Sequence, residues 1–369
     1  MASKKPFALE DLRPKVLLLG INAPYNKIKD MNAYFDEFIS LVTTLGVKYD
    51  ETLYLKLRSI DKANFLTKGK LQELVELCDK NEIEEVIFSE PLTPLQERNL
   101  AEALNCGIWD REKLILEIFR KSAHTAEGKI QVEMAEIEYF KTRLSGKGVE
   151  LAQQVGVIGV RGGPGETSKE ILKRHLAEKY RQAKKQLLTL QRSREAQRKQ
   201  RLQSNIPLIC LVGYTNSGKS SLLNLLTKSH VLVEDKLFAT LDTTTREFFI
   251  EGKENVLISD TVGFISQLPH NLIEAFKSTL EELKYASLLL EVVDISNTNW
   301  EDQVKVVQST LEELEVQTKK IYVFNKIDKI DPKNLDKLKI ELEKLKPYVL
   351  THTKSKEGIK DLVEYIGRI

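Results

Sequence analysis

Eight residues constrain this chain more than any others. Gly213-Tyr214-Thr215-Asn216-Ser217-Gly218-Lys219-Ser220 follows the apolar run LICLV at 208–212 and opens into the apolar helical pattern SLLNLLT. That is the G-x4-G-K-[ST] loop in its required setting, after a strand and before a helix. Its glycines let backbone N–H groups wrap a bound polyphosphate, and the helix N-terminus adds the positive end of its dipole. Lys219 then reaches the β- and γ-phosphates, while Ser220 offers a hydroxyl to Mg²⁺.

Two further motifs follow in order, each at the end of an apolar strand candidate. Asp260-Thr261-Val262-Gly263 closes NVLIS at 255–259. An aspartate there can hold Mg²⁺ through water, and the Gly263 N–H can meet the γ-phosphate, so that the loop senses the third phosphate. Asn325-Lys326-Ile327-Asp328 closes IYVF at 321–324. The Asp328 carboxylate can accept both the N1–H and the 2-amino N–H of guanine. Adenine presents neither donor and would leave a buried carboxylate unpaired, so the motif predicts GTP over ATP. The Lys326 stem would lie along the base, and Asn325 would tie this loop to the phosphate loop. With LLLEVVDI at 288–295 and YVLT at 348–351 as further strands, residues 205–369 read as an α/β P-loop GTPase domain with a mostly parallel sheet.

Composition removes several other classes. Hydrophobic residues make up 41% and charged residues 30%, so ordinary folding is expected. The mean hydropathy is −0.29, and no uncharged apolar stretch approaches the length of a spanning helix, so no membrane span is expected. The opening MASKKPFALEDLRPK carries acids where a signal peptide needs apolar residues. Cys78, Cys106 and Cys210 are too few and scattered for a disulfide framework, which fits a reducing cytoplasm. None of the five histidines sits with a cysteine at zinc-ligand spacing.

Upstream, residues 14–123 alternate apolar runs with helical patterns: KVLLLGI, ETLYLKL and EEVIFS as strands, 31–45, 70–79 and 94–104 as helices. This predicts an N-terminal α/β domain over 1–124 with a largely parallel sheet. No glycine-rich phosphate fingerprint follows these strands, since Gly20 stands alone, and no nucleotide site is expected there. Residues 125–204 read as a helical hairpin. Ile130, Met134, Ile137 and Leu144 share one helical face, and Leu172, Leu176, Tyr180, Ala183, Leu187 and Leu190 form a seam close to a heptad. Between the helices SGKGVELAQQVGVIGVRGGPGE carries seven glycines, and Lys147 and Arg161 within it are candidate RNA contacts.

The formal net charge of +2 hides a basic arm: residues 169–201 hold 12 Lys and Arg against three Glu. Such a segment suits a phosphate backbone, and it marks Lys173, Arg174, Arg181, Lys184 and Lys185 as RNA-contact candidates. A solvated helical linker has the same composition.

These motifs resemble the translation-factor-related GTPases, and the resemblance narrows. GYTNSGKS, then LFATLDTTTR at 237–246, DTVGFISQLP at 260–269 and NKID are similar to the HflX family of ribosome-associated GTPases. Upstream, DREKLILEIF at 110–119, AEGKIQVEMAEIEY at 126–139 and RGGPGET at 161–167 resemble the same family, so the similarity spans nearly the whole chain. The resemblance implies that Thr240, within Phe238-Ala239-Thr240-Leu241-Asp242, completes the Mg²⁺ shell; from the residues alone Thr243, Thr244 and Thr245 compete. It also matches Asn216 to an asparagine that helps hold K⁺ beside the phosphates, although a hydrogen bond within the loop is an equal reading. It further implies a monomer that binds GTP and GDP, associates with the large (50S) ribosomal subunit through rRNA, and splits or rescues stalled ribosomes.

The chain departs from the family in two places, and at a third from Ras-like enzymes. His352-Thr353-Lys354 stands where Ser-Ala-Lys is usual, and since guanine O6 is met there by a backbone N–H, binding should persist with altered affinity. Gly162-Gly163 doubles a glycine that is more often single. Phe264 occupies the position at which Ras-like enzymes carry a water-orienting glutamine, so intrinsic hydrolysis is expected to be slow and completed by a partner, by K⁺ or by Gln267. Two other functions fit fewer features: a GTPase acting on a protein partner without RNA, and ATP-driven RNA remodelling by the N-terminal region.

Overall fold

A computed structural model describes residues 13–26, 28–144, 168–203, 206–227, 237–238, 241, 243–250, 255–353 and 358–368. Lys147, Arg161, Ala239, Thr240, Asp242 and Lys354, with the glycine-rich segment, lie outside them. The chain divides into two compact units, residues 1–27 with 34–114 and residues 28–33 with 115–369.

The first unit is a four-stranded parallel sheet in the order β2-β1-β3-β4. Its strands are β1 (Val16–Asn22), β2 (Glu51–Lys56), β3 (Glu85–Phe88) and β4 (Gly107–Trp109), alternating with α1 (Met31–Leu45), α2 (Lys68–Asn81) and α3 (Pro94–Leu104). β1 is buried along all but its last residue, as a strand covered on both faces must be. Leu17, Leu19, Val86, Phe88, Leu74 and Leu100 share its core. The α3 start is fixed by sequence: Thr93 accepts from Gln96 N, Gln96 answers to the Thr93 N–H, and Pro94 occupies the first turn. Gly20 is a packing residue, because a Cβ there would stand 2.0 Å from the Phe35 ring. β4, three residues long, escapes sequence reading because it is shorter than any periodicity test can resolve.

In the second unit the helical arm comes first. α4 (Arg111–Ser122) begins in the first unit and ends in this one, followed by α5 (Ala126–Arg143) and α6 (Ser168–Gln203). Thr125 caps α5, accepting from Gly128 N at 3.0 Å. Met134 packs with Ala183 and Leu187, whereas Ile137 and Leu144 pack with Leu172 and Leu176. Later residues of α5 thus meet earlier residues of α6, which makes the pair antiparallel. At 36 residues α6 is about 54 Å long. Lys173, Arg174, Arg181, Lys184 and Lys185 are exposed on it, while Leu172, Leu176, Ala183 and Leu187 are buried.

The rest of the unit is a six-stranded sheet in the order β10-β9-β8-β5-β7-β6. Its strands are β5 (Leu208–Gly213), β6 (Thr244–Phe248), β7 (Val256–Asp260), β8 (Leu288–Asp294), β9 (Lys320–Asn325) and β10 (Tyr348–Leu350). All pair in parallel except β6, an antiparallel edge strand that its polar sequence TTREF conceals. The helices are α7 (Lys219–Thr227), α8 (His270–Leu280), α9 (Trp300–Glu313), α10 (Pro332–Leu342) and α11 (Ile359–Ile366). β5, buried throughout, lies between β7 and β8, so the loop that follows it emerges at the centre of the sheet edge. Leu211, Leu222, Leu223, Ile258, Leu290, Val323 and Leu362 form the core on one face, each fully buried aliphatic contributing about 1.5–3 kcal/mol.

Candidate nucleotide site

Residues 213–220 join β5 to α7, with Lys219 and Ser220 in the first turn of the helix. Two glycines are dictated by space and backbone. A Cβ on Gly213 would stand 2.2 Å from Val292 O, and Gly218 has φ +100 with the same hypothetical atom 2.2 Å from Asn325 Nδ2. Tyr214, Thr215, Ser217 and Lys219 are buried, and Asn216 is exposed with φ 58.

Lys219 turns back on its own loop, its Nζ donating to Tyr214 O at 2.9 Å and Gly213 O at 3.2 Å. Burial pushes its pKa down to about 8, and the nearby Asp260 carboxylate opposes that shift. A polyphosphate would supply the missing negative charge, so the geometry is that of an ammonium held for an anion. Ser220 Oγ donates to Asp260 Oδ2 at 2.6 Å, placing two hard oxygens together at the mouth of the loop. Among the described residues no group of three or more His, Cys, Asp or Glu gathers as a metal-ligand set. The Ser220 and Asp260 pair fits Mg²⁺ as this kind of loop uses it, with few protein oxygens and the remainder from phosphates and water.

The second motif folds over the first. Phe264 N donates to Gly213 O at 3.1 Å, and Thr215 N donates to Phe264 O at 2.7 Å. Thr261 Oγ1 donates to Leu211 O at 2.7 Å, and Tyr214 Oη accepts from Ser266 N at 2.8 Å. A Cβ on Gly263 would lie 2.8 Å from Thr215 Cα and 3.1 Å from Lys219 Nζ, so only glycine fits between the two loops. Val262 is buried, as is the Phe264 side chain at 2% exposure, which makes Phe264 an anchor of this loop rather than a group facing the phosphates. Gln267 has φ 56.

The segment around Thr240 is described at Leu237, Phe238, Leu241 and from Thr243 onward. Phe238 N donates to Thr215 Oγ1 at 2.9 Å. Its ring meets Phe119 of α4 edge-on with centroids 4.6 Å apart, and Phe119 meets Phe276 of α8 in the same manner at 5.4 Å. One aromatic side chain thus touches the segments following both phosphate-facing loops. Sequence reading gave no role to Phe119, the end of the run DREKLILEIF, or to Phe276, which lies in no motif. Thr243 and Thr244 are half-buried, and Thr244 and Thr245 lie in β6, where Thr245 Oγ1 donates to Ser259 Oγ at 3.2 Å.

The base-side loop closes the site. Asn325 is buried and its Nδ2 donates to Ser217 O at 3.0 Å, joining β9 to the phosphate loop. Lys326, with φ 65, donates to Asn216 O at 2.8 Å and pairs with Asp294 Oδ2 at 2.7 Å. Asp294 is a further residue that sequence reading passed over; its signal was its place as the last residue of β8. Ile327 is buried, and Asp328 sits on the short 3-10 turn Ile327–Lys329. Thr351 N donates to Phe324 O at 2.8 Å, bringing His352 and Thr353 beside that turn.

The chain is similar to known proteins over most of its length. Three family models match: "GTP-binding GTPase N-terminal" over residues 32–120, "GTP-binding GTPase Middle Region" over 122–201 and "50S ribosome-binding GTPase" over 208–326. The GTPase HflX of Magnetococcus marinus is 46% identical over 81% of this chain and 70% of its own length. The GTPase HflX of Escherichia coli is 38% identical over 83% and 72%, and that of Spirochaeta thermophila 36% over 96% and 85%. Among solved structures, SsGBP in complex with GDP superimposes with a TM-score of 0.51 at 25% identity, covering 96% of this chain and 98% of that one. With relatives this similar over most of both chains, the protein belongs to the HflX family of GTPases, and the reaction it catalyses is the hydrolysis of GTP.

Proposed function

We propose that the chain is a GTP-operated switch that grips the large ribosomal subunit through its helical arm and acts in splitting or rescuing stalled ribosomes. The observation carrying this reading is the exposed basic face of α6, where Lys173, Arg174, Arg181, Lys184 and Lys185 stand opposite the buried seam of Leu172, Leu176, Ala183 and Leu187. Positive side chains on one side of a 36-residue helix form a track for a phosphate backbone. The family description "50S ribosome-binding GTPase" names the same target. Lys147 and Arg161 would extend this contact, and the three segments 1–124, 125–204 and 205–369 divide the labour among docking, RNA contact and switching. The chain would act as a monomer in the cytoplasm, partly on ribosomes; among the described residues no helix is long and apolar enough to cross a membrane.

In the nucleotide site the P-loop N–H groups and Lys219 would hold the phosphates of GTP or GDP, and Asp328 with the 352–354 loop the base. Ser220 and Thr240 would hold Mg²⁺, which neutralises charge developing on the phosphates during hydrolysis. Tyr214, Thr215, Asn216 and Ser217 would line the phosphates, with Asn216 also available to K⁺. Gly263 would report the γ-phosphate through its N–H, and residues 238–242 would close over it.

Sedimentation with large ribosomal subunits tests the reading. Reversing two charges, Lys184→Glu with Lys185→Glu, is expected to weaken co-migration of the GTP-analogue form by about tenfold or more and to flatten its salt dependence. Co-migration that is absent in the parent protein even at low salt would favour a protein partner without RNA.

A further inference from the structure

The ammonium of Lys326 is held from two sides. Its Nζ donates to Asn216 O of the phosphate loop at 2.8 Å and lies 2.7 Å from Asp294 Oδ2 at the end of β8, the Lys326 and Asp294 side chains being only 19% and 17% exposed. Asp294 is itself fixed. Its other oxygen, Oδ1, accepts from Ser296 Oγ at 2.6 Å and from Ser296 N at 3.1 Å, so turning the carboxylate would cost both bonds. The backbone around it is tied as well. Asp294 stands opposite Asn325 in the β8–β9 ladder, Ile295 N donates to Asn325 O at 3.2 Å, and Asn297 N donates to Asp294 O at 3.2 Å. A carboxylate held at one oxygen by its own loop thus presents the other to the lysine of the base-side loop.

We propose that Asp294 is a positioning residue for nucleotide retention: it anchors the Lys326 ammonium at the Asn216 carbonyl, so that the lysine stem is kept as a fixed shelf along the base. This rests on the reading of residues 325–328 as the base-side loop made above. Lysine has a flexible stem and a strongly hydrated head. Without a counter-charge a sheltered ammonium turns toward water, and its stem leaves with it. A charge-assisted bond between two sheltered groups resists that more firmly than an exposed surface pair would. Contact between a methylene stem and the face of a purine is indifferent to the groups on the purine edge. Guanine and hypoxanthine, which differ by the 2-amino group, therefore lose equally when Asp294 is altered, whereas a change at Asp328 separates them.

The test is binding and dissociation of GDP and of inosine diphosphate (IDP) with the full-length chain. Asp294→Asn keeps the shape and an oxygen for Ser296 but removes the charge. It is expected to weaken both nucleotides about tenfold, chiefly through faster dissociation, and to leave the GDP-to-IDP preference within about twofold of the parent. Asp294→Glu, which restores a carboxylate, is expected to recover binding to within about threefold of the parent. In a Lys326→Met background, Asp294→Asn is expected to add less than about twofold, because the two residues act as one unit. Unchanged binding in Asp294→Asn, a loss confined to GDP, no recovery in Asp294→Glu, or the full loss repeated in the Lys326→Met background would overturn the proposal. The underlying reading fails separately: if Lys326→Met binds both nucleotides as the parent does, the lysine stem does not meet the base. If Lys326→Met weakens both while Asp294→Asn does not, only the role of Asp294 is lost.

Discussion

Lys219→Met is expected to lower kcat/KM for GTP by about 10²–10³, the loss typical of removing one preorganised donor from developing charge. The ammonium is buried within hydrogen-bonding distance of Gly213 O and Tyr214 O, and Gly263 closes over it so tightly that a Cβ there would come within 3.1 Å of Nζ. Methionine matches the length and shape of the stem, so the loss isolates the charge. The same variant has a second signature in the nucleotide-free state. The folded pKa of Lys219 is about 8, below its ordinary value of 10.5, because burial disfavours the charged form. Between those two values the unfolded chain binds more protons, so the parent protein gains stability as pH rises from about 8 to 10.5. At pH 7 the penalty is present in full, with an upper bound on the order of 3 kcal/mol. Urea unfolding of nucleotide-free Lys219→Met is therefore expected to lack this alkaline rise. A parent and variant with parallel pH profiles would show that Lys219 is not held as a desolvated cation.

Asp328→Asn is expected to weaken GTP binding by about 10²–10³ and to create affinity for XTP. In the proposed base contact the carboxylate would accept two N–H donors from guanine; an amide would accept one and turn its NH₂ toward the second, leaving a donor against a donor. Xanthine carries a carbonyl at that position and satisfies the amide. Hydrolysis supported by XTP should persist in this variant, since Lys219, Ser220 and Asp260 are untouched. Competition binding with GTP, XTP and ATP measures the exchange, and an unchanged preference for GTP would remove Asp328 from the base contact.

The legible parts of this protein are those in which one residue type alone satisfies the backbone. Gly213 and Gly218 occupy places where any Cβ would strike Val292 O or Asn325 Nδ2, and the motif records those collisions. The antiparallel arm was legible because Leu172, Leu176, Ala183 and Leu187 repeat at helical spacing and are buried as that spacing requires. Gly20 forms no motif, and its packing role could not be read because its partner, Phe35, is 15 positions away and follows no pattern. The roles of Phe119 and Asp294 went unread for the same reason: an aromatic contact with Phe238 and an ion pair with Lys326 are made by tertiary packing and leave no local period. The burial of Phe264 could not be read from its motif, which told only that it was not a glutamine; the structure shows it fastened to Gly213 and Thr215 by backbone hydrogen bonds.

In the proposed function the third phosphate, sensed where Gly263 folds over Lys219 and Thr215, sets how firmly the chain holds the large ribosomal subunit. Calorimetric titration of purified large subunits with the full-length chain, saturated with either a non-hydrolysable GTP analogue or GDP, measures it directly. Binding is expected to be at least about tenfold tighter with the GTP analogue, a coupling of about 1.4 kcal/mol or more. Equal affinities for the two forms would contradict it.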